Sequence, residues 1–316
     1  MPTDAPLSAE PNPLRGILLK VVSVAIFVGM AACIKAAGEV PAGQIVFYRS
    51  LFAIIPIFAL LAWRHELRTA FHTRKPVAHI VRGLVGVCSM GLGFFALTRL
   101  PLPEAITLNY AQPLLVVVFG ALIFGEQVRI FRWSAVAMGL VGVVIISWPR
   151  LTLLTGGRGF EDGEAAGVLA QLAAAAIAAL VVHLVRRLVT TERTATIVLW
   201  FSVTATIAGL ATLPFGWATL TPQQIALLIG SGLCGGLGQI LMTESYRHAH
   251  TGTIAPFEYT SMILGIVVGY MLFGDVPTIH MLVGGVIVVA AGILIIWREH
   301  RLGLERGKAR KVTPPQ

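Results

Sequence analysis

The chain has 316 residues, of which 56% are hydrophobic and only 12% are charged, and its mean hydropathy is +0.81. Because soluble domains carry about 25% charged residues, this composition excludes a soluble globular protein and indicates an all-α integral membrane protein. The net charge of +9 does not indicate a nucleic-acid partner, since Lys and Arg are spread over short loops and the C-terminal segment rather than gathered on one face.

Apolar runs of about 20 residues, the length needed to cross a bilayer, recur along the chain and are separated by turn residues. Residues 1–13 are polar and include acidic side chains, unlike the cationic leader of a cleaved signal peptide, so they are expected to form a cytoplasmic tail and the first span to be retained. The predicted helices are, in chain order, 14–37, 43–62, 77–98, 102–124, 131–148, 164–188, 194–213, 223–246, 252–273 and 278–297.

Basic residues near the span ends predict the orientation. Eighteen Lys and Arg residues fall on one side of the predicted membrane and four on the other, namely Lys35, Arg99, Arg150 and Arg158. Since cytoplasmic loops carry the excess of Lys and Arg, both termini are predicted to be cytoplasmic. Lys20 is counted with the cytoplasmic group, and Lys35 is expected near the outer surface, with its charge extended to the headgroups.

The chain contains an internal repeat. With the sequence shifted by 149, residues 83–126 match residues 232–275 at ten of 44 positions. The two segments end in Phe124-Gly125-Glu126 and Phe273-Gly274-Asp275. The shift moves helices 3 and 4 onto helices 8 and 9, a displacement of five helices. Because five is an odd number, equivalent helices cross the membrane in opposite directions. The halves are therefore predicted to have opposite orientations, as in alternating-access carriers.

This repeat divides the chain into domains. The first five-helix repeat is predicted at 14–148 and the second at 164–297, with an external Gly-rich linker at 149–163 and a basic cytoplasmic tail at 298–316. Glycines at helix-packing spacings, such as Gly139 with Gly142, are interpreted chiefly as close contacts between helices.

Polar side chains inside apolar spans identify a candidate site, because a charge at mid-bilayer costs about 2.5–3.5 kcal/mol unless it faces protein or water. The shift aligns Asn109 with Glu258 and Tyr110 with Tyr259. Two such belts are expected to meet at a central cavity, although they could instead only hold the bundle together. The candidate substrate-binding residues are Asn109, Tyr110, Gln112, Glu258, Tyr259, Ser261, Ser89, Gln239 and Arg49.

Arg49 leaves two interpretations open. It could form a structural pair with a carboxylate such as Glu39 or with helix-end carbonyls, or it could bind a substrate carboxylate. No cluster with metal-ligand or nucleophile spacing is present in the sequence, so no metal, cofactor or catalytic residue is predicted.

Three features together resemble the drug/metabolite transporter (DMT) superfamily: ten predicted spans, the two Phe-Gly-acid motifs, and Tyr48-Arg49-Ser50 near the start of helix 2. More narrowly, the chain resembles the EamA-type ten-helix exporters, and among them the YddG-type exporters of aromatic and other amino acids. The resemblance implies a basket-shaped bundle whose central cavity is lined mainly by helices 1, 3, 4, 6, 8 and 9, with helices 5 and 10 at the periphery.

The expected function is therefore secondary transport, with export of small organic metabolites across the bacterial inner membrane by alternating access. Amino acids, including aromatic ones, are the favoured substrates. The alternatives are a same-fold carrier of a phosphorylated lipid, a nucleotide-sugar, drugs or other metabolites, and, more remotely, an intramembrane enzyme. The expected partners are a small-molecule substrate and the lipid bilayer. The oligomeric state and the energy coupling are left open, and a monomer is compatible with the sequence.

Overall fold

The computed structural model describes residues 13–67, 70–125, 128, 130–151, 163–188, 191–248 and 254–312. Within these residues all regular structure is helical, and ten helices are long and apolar enough to cross a membrane. The predicted fold class, an all-helical protein with ten membrane spans, is confirmed. The helices are α1 (Pro13–Ala36), α2 (Ala42–Trp63), α3 (Pro76–Arg99), α4a (Leu102–Asn109) and α4b (Ala111–Leu122), α5 (Ile130–Leu151), α6 (Glu164–Leu188), α7 (Thr194–Leu210), α8 (Pro222–His248), a 3₁₀ turn (Ala255–Tyr259) leading into α9 (Thr260–Phe273), and α10 (Ile279–Val312).

Parts of the predicted organisation lie outside the described residues: residues 1–12 of the N-terminal tail, Glu126, and residues 152–162 of the linker. At the other end, α10 continues as a helix to Val312, well beyond the predicted end of the tenth span at residue 297.

Two spans depart from a regular α-helix at equivalent positions. The fourth span breaks at Tyr110, because Pro113 has no N–H to bond the Asn109 carbonyl and its ring crowds that oxygen. The ninth span begins as a 3₁₀ turn that contains Pro256 and becomes an α-helix only after Tyr259. Since Tyr110 and Tyr259 are 149 positions apart, the interruption is shared by the two halves.

The two spans also end alike. Gly125 and Gly274 both have a φ of 67°, a left-handed conformation that a residue with a Cβ rarely adopts. After α9 the N–H of Asp275 donates to the Gly269 carbonyl at 3.1 Å, which satisfies a carbonyl left free at the helix end. Gly274 therefore caps the end of α9, and Gly125 lies three residues beyond the end of α4b at Leu122.

Helix packing follows the repeat. α1 packs on α8 and α3 on α6, and these two pairs exchange when helix numbers are shifted by five. The pairs α2/α7, α4/α9 and α5/α10 each join corresponding helices of the two halves. Glycines lie against the partner segment in all three pairs: Gly43 against Thr212, just past α7, and Gly209 against Phe47 in α2/α7, Gly269 against Pro103 and Gly265 against Ile106 in α4/α9, and Gly139 against Ala291 and Gly142 against Gly284 in α5/α10.

In each of these three pairs the contact numbers rise along one helix and fall along the other, so corresponding helices run antiparallel. This is the direction that opposite orientation of the halves requires, and the inverted repeat itself stays a prediction. The predicted role of the glycines is visible where α5 meets α10. A Cβ added at Gly284 would lie 2.5 Å from the carbonyl oxygen of Gly142, so the helices approach to backbone contact.

Candidate functional site

A cavity of about 640 Å³ lies between the two halves, a volume typical of small-molecule sites. Its walls come from α1, α2, α3, both parts of α4, α6, α7, α8 and the start of the ninth span. Among the described residues, neither α5 nor α10 contributes to the lining. The cavity therefore lies where the sequence resemblance implied, with contributions from α2 and α7 in addition.

Seven of the nine candidate residues line this cavity. Tyr259 does not: its ring packs edge-on against that of Tyr110, with 5.0 Å between ring centroids, and its hydroxyl lies against Gly292 of α10. Gln239 lines a smaller neighbouring cavity instead. The seven residues that line the main cavity are Arg49, Ser89, Asn109, Tyr110, Gln112, Glu258 and Ser261.

A chain of hydroxyl groups connects the fourth and ninth spans. The Ser261 hydroxyl donates to the Glu258 carbonyl at 2.6 Å and lies 2.5 Å from the Tyr110 hydroxyl. A serine hydroxyl has a single hydrogen, which the Glu258 carbonyl accepts, so Tyr110 donates to Ser261. This arrangement fixes the Tyr110 side chain on the cavity wall at the point where α4 is interrupted.

Gln171, which lies in the Ala-rich α6, was not among the residues predicted from the sequence. Its amide nitrogen donates to the Asn109 side-chain oxygen at 3.2 Å, and both side chains line the cavity. The interruption of α4 places Asn109 at the end of α4a, where it faces α6. A single amide in an otherwise apolar helix was the available signal, and the repeat alignment of residues 83–126 with 232–275 did not cover it.

Lys20 is placed differently from the prediction. Its side chain is only 1% exposed and donates a hydrogen bond to the carboxylate of Glu258, whose side chain is 47% exposed. Lys20 therefore lies at the contact between α1 and the ninth span, and it does not belong in the count of cytoplasmic loop charges. The physical reason is that a buried ammonium is stabilised by an adjacent carboxylate.

Lys35 also differs from its expected extended position at the outer surface. Its ammonium lies 3.4 Å from the Asp275 carboxylate and donates to the Leu100 carbonyl at 2.7 Å. The same carboxylate accepts a hydrogen bond from the backbone N–H of Leu102 at 2.9 Å. These contacts join α1, the start of α4a and the end of α9, and Asp275 is thus placed in a structural role.

Beside the main cavity lies a second cavity of about 60 Å³ between α2, α3, α7 and α8. Arg49, Arg82 and Gln239 are its larger polar lining residues. Within the part of the chain that the structure describes, Arg49 forms no ion pair, so the interpretation of Arg49 as a partner of Glu39 is not supported. Arg49 and Phe201 line both cavities, which places the two cavities side by side.

A bundle of ten spans around a cavity with apolar walls and a few convergent polar groups defines a membrane carrier for small molecules. Residues 14–148 and 165–297 each match the model of the EamA-like transporter family. The chain therefore belongs to the EamA-like transporter family, within the drug/metabolite transporter superfamily, and is a small-molecule transporter.

The relatives of this chain are named for different substrates. The pseudopaline exporter CntI of Pseudomonas aeruginosa is 27% identical over 286 residues, which cover 89% of this chain and 95% of that protein. A riboflavin transporter of Rhizobium johnstonii is 26% identical, with 83% of each chain covered. An S-adenosylmethionine uptake transporter of Rickettsia bellii is 23% identical, with 82% of this chain and 84% of the relative covered.

One solved crystal structure superposes with a TM-score of 0.62 at 20% sequence identity, covering 88% of this chain and 96% of that one. This likeness supports the fold alone. None of the three names is that of an amino-acid exporter, so the narrower resemblance to the YddG-type exporters is not confirmed.

Proposed function

We propose that this protein exports zwitterionic amino acids and related metabolites, aromatic ones included, across the bacterial inner membrane by alternating access. The observation that carries the proposal is the presence of both signs of charge in one cavity, which Glu258 and Arg49 both line. A zwitterion leaving water needs a partner for each of its charges, because an unpaired charge in a water-poor site is costly.

The polar groups of the cavity match these needs. The half-exposed carboxylate of Glu258 is available to a substrate ammonium in spite of its contact with Lys20, because about half of the Glu258 side chain remains open. The Arg49 guanidinium and the Gln112 amide supply donors for a carboxylate. The remaining wall includes the apolar side chains of Met90 and Phe94, which suit an aliphatic or aromatic side chain.

The relatives support a small organic substrate without specifying one. One relative is named as an exporter of pseudopaline, and another is named as an uptake transporter of S-adenosylmethionine. The exporter is the relative that supports the direction proposed here.

Transport by the full-length protein in proteoliposomes tests the proposal. Vesicles preloaded with unlabelled L-phenylalanine should accumulate external labelled L-phenylalanine by counterflow. Asn109→Leu should reduce the rate at least severalfold, because it removes the bond to Gln171 and one amide from the cavity. Ser134→Ala, an exposed position on α5, is the matched control and should leave counterflow unchanged. No counterflow of phenylalanine, leucine or any other amino acid by the wild-type protein would reject the proposal.

A further inference from the structure

Two guanidinium groups from neighbouring spans share one small cavity. Arg49 lies on α2 and Arg82 on α3, each about 10 Å along its helix from the first residue at a rise of 1.5 Å per residue. Both line the 60 Å³ cavity. Neither position is at a helix end, where a long side chain would reach the headgroups with ease.

Neither guanidinium has an acidic partner among the described residues. Among the described residues, Nε of Arg49 and both Nε and Nη1 of Arg82 are buried with no hydrogen-bond partner, and no lining residue of the small cavity is acidic. The Arg82 guanidinium lies over the Phe201 ring at 4.2 Å, a contact that offsets only part of the desolvation. Two like charges enclosed together require a counter-charge, because an unpaired buried ion is strongly unfavourable.

The backbone opposite Arg49 is shaped to admit its guanidinium. A Cβ added at Gly235 would lie 3.0 Å from Nε and 3.2 Å from Nη2 of Arg49. Glycine at this position of α8 therefore leaves room for the charged group in the small cavity. A site that admits a charge without supplying a partner for it is suited to a ligand of opposite charge.

We propose that the small cavity is a subsite for the carboxylate group of the transported substrate, held between Arg49 and Arg82. This inference rests on the proposed function and specifies which residues hold one end of the substrate. Because Arg49 and Phe201 line both cavities, a substrate bound in the main cavity can extend its carboxylate into the small cavity. Its ammonium then remains on the Glu258 side.

Size favours a carboxylate over a larger group. The small cavity, at about 60 Å³, has about a tenth of the volume of the 640 Å³ main cavity, so it suits a small polar group such as a carboxylate while the body of the substrate stays in the main cavity. Guanidinium groups match carboxylates through paired N–H donors, which lysine cannot reproduce. Gln239 and Ser202 add polar lining groups at the same cavity.

Thermal unfolding of the purified full-length protein in detergent tests the subsite without any assumption about transport. At constant ionic strength, 3-phenylpropionate should raise the unfolding midpoint in a saturable way, and phenethylamine, which lacks the carboxylate, should not. Arg49→Gln and Arg82→Gln should abolish the rise, and Arg74→Gln, at an exposed loop position, should retain it. Arg49→Lys and Arg82→Lys preserve the charge, guard against misfolding of the glutamine variants, and should weaken the apparent affinity about tenfold or more.

Other outcomes would overturn the inference. Absence of a response to 3-phenylpropionate in the wild-type protein would exclude the subsite, as would an unchanged response in the lysine variants. An equal rise with chloride or inorganic phosphate would indicate a general anion site and reject the assignment to a carboxylate. Counterflow distinguishes this result from failure of the proposed function: a response that depends on both arginines, without transport of any amino acid, would keep the subsite and reject amino-acid export.

Discussion

Lys20 and Glu258 form an ion pair that joins α1 to the start of the ninth span, with the ammonium enclosed by protein and the carboxylate half open to the cavity. The two partners are therefore not equivalent. Under the proposed function, a substrate ammonium that approached from the cavity would meet the carboxylate side of the pair and compete with Lys20 for it. Binding at Glu258 would then loosen the contact between α1 and the ninth span, which connects substrate binding to a helix contact.

Removing the carboxylate should destabilise the protein. Glu258→Gln leaves the Lys20 ammonium buried beside a neutral amide, and we expect a loss of about 1–3 kcal/mol, less than for a fully enclosed pair because Glu258 is 47% exposed. The double variant Lys20→Met/Glu258→Gln should regain most of this loss, because no unpaired charge remains. The measurement is the thermal unfolding midpoint.

Glu244→Gln is a suitable comparison, since the Arg64–Glu244 contact joins partly exposed side chains and should contribute less. If the double variant were as unstable as Glu258→Gln alone, the ion pair would not be the source of the effect.

Cysteine labelling should separate cavity positions from buried ones. In a background without Cys33, Cys88 and Cys234, cysteines at Asn109, Gln112 and Ser261 should react with a water-soluble thiol reagent because these side chains line the cavity. L-phenylalanine should slow all three reactions. A cysteine at Tyr259 is the negative control, because that side chain packs against α10. Reaction at Tyr259 as fast as at Ser261 would contradict the placement.

Close packing of α5 and α10 should make Gly284 intolerant of substitution. A methyl group at Gly284 would lie 2.5 Å from the Gly142 oxygen and 2.6 Å from Cγ1 of Ile146, so Gly284→Ala should cost about 1–3 kcal/mol of stability. Gly91→Ala is the matched control within a span, because nothing lies within 4 Å of its added Cβ. That change should be neutral or stabilise by up to about 1 kcal/mol. Equal midpoints for the two variants would refute the packing argument.

Both termini are predicted to lie in the cytoplasm. Moving Lys20 out of the count of loop charges leaves the strong excess of basic residues on the predicted cytoplasmic side. A reporter that is active only in the cytoplasm should therefore work when fused at Arg310, and one that is active only after export should not. The reverse pattern would invert the whole topology.

Opposite orientation of the halves predicts opposite accessibility of equivalent loops. Pro101 and His250 are 149 positions apart, and His250 lies outside the described residues. In intact cells, a cysteine at Pro101 should react with a membrane-impermeant reagent, whereas a cysteine at His250 should react only after permeabilisation. Labelling of both from the same side would be incompatible with inverted repeats.

Much of the fold could be predicted from the sequence, because a bilayer imposes one length and one polarity on every span. The ten spans follow from this local information. The interruption at Tyr110 was not predicted, although Pro113 was the visible cause. The reason is that hydropathy averages over a whole span and does not register one missing backbone hydrogen bond.

The site was harder to predict, because the direction of a side chain depends on tertiary packing. The repeat aligned Tyr110 with Tyr259, yet only Tyr110 lines the cavity, since the 3₁₀ turn and Gly292 direct Tyr259 towards α10. Lys20 looked like a loop charge because its partner, Glu258, is 238 positions away. Such contacts between distant segments leave no periodic trace in the sequence.

The pairing of helices across the repeat has a consequence for biogenesis. The most extensive contacts of α1, α2, α3 and α5 are with helices of the second half. During synthesis these helices enter the membrane before their partners have been translated. Arg49 and Arg82 also enter the membrane before Phe201 and Gly235, which line the small cavity with them, have been translated. We therefore expect the first half to remain incompletely packed during synthesis, because the small cavity needs residues of α7 and α8 to close it.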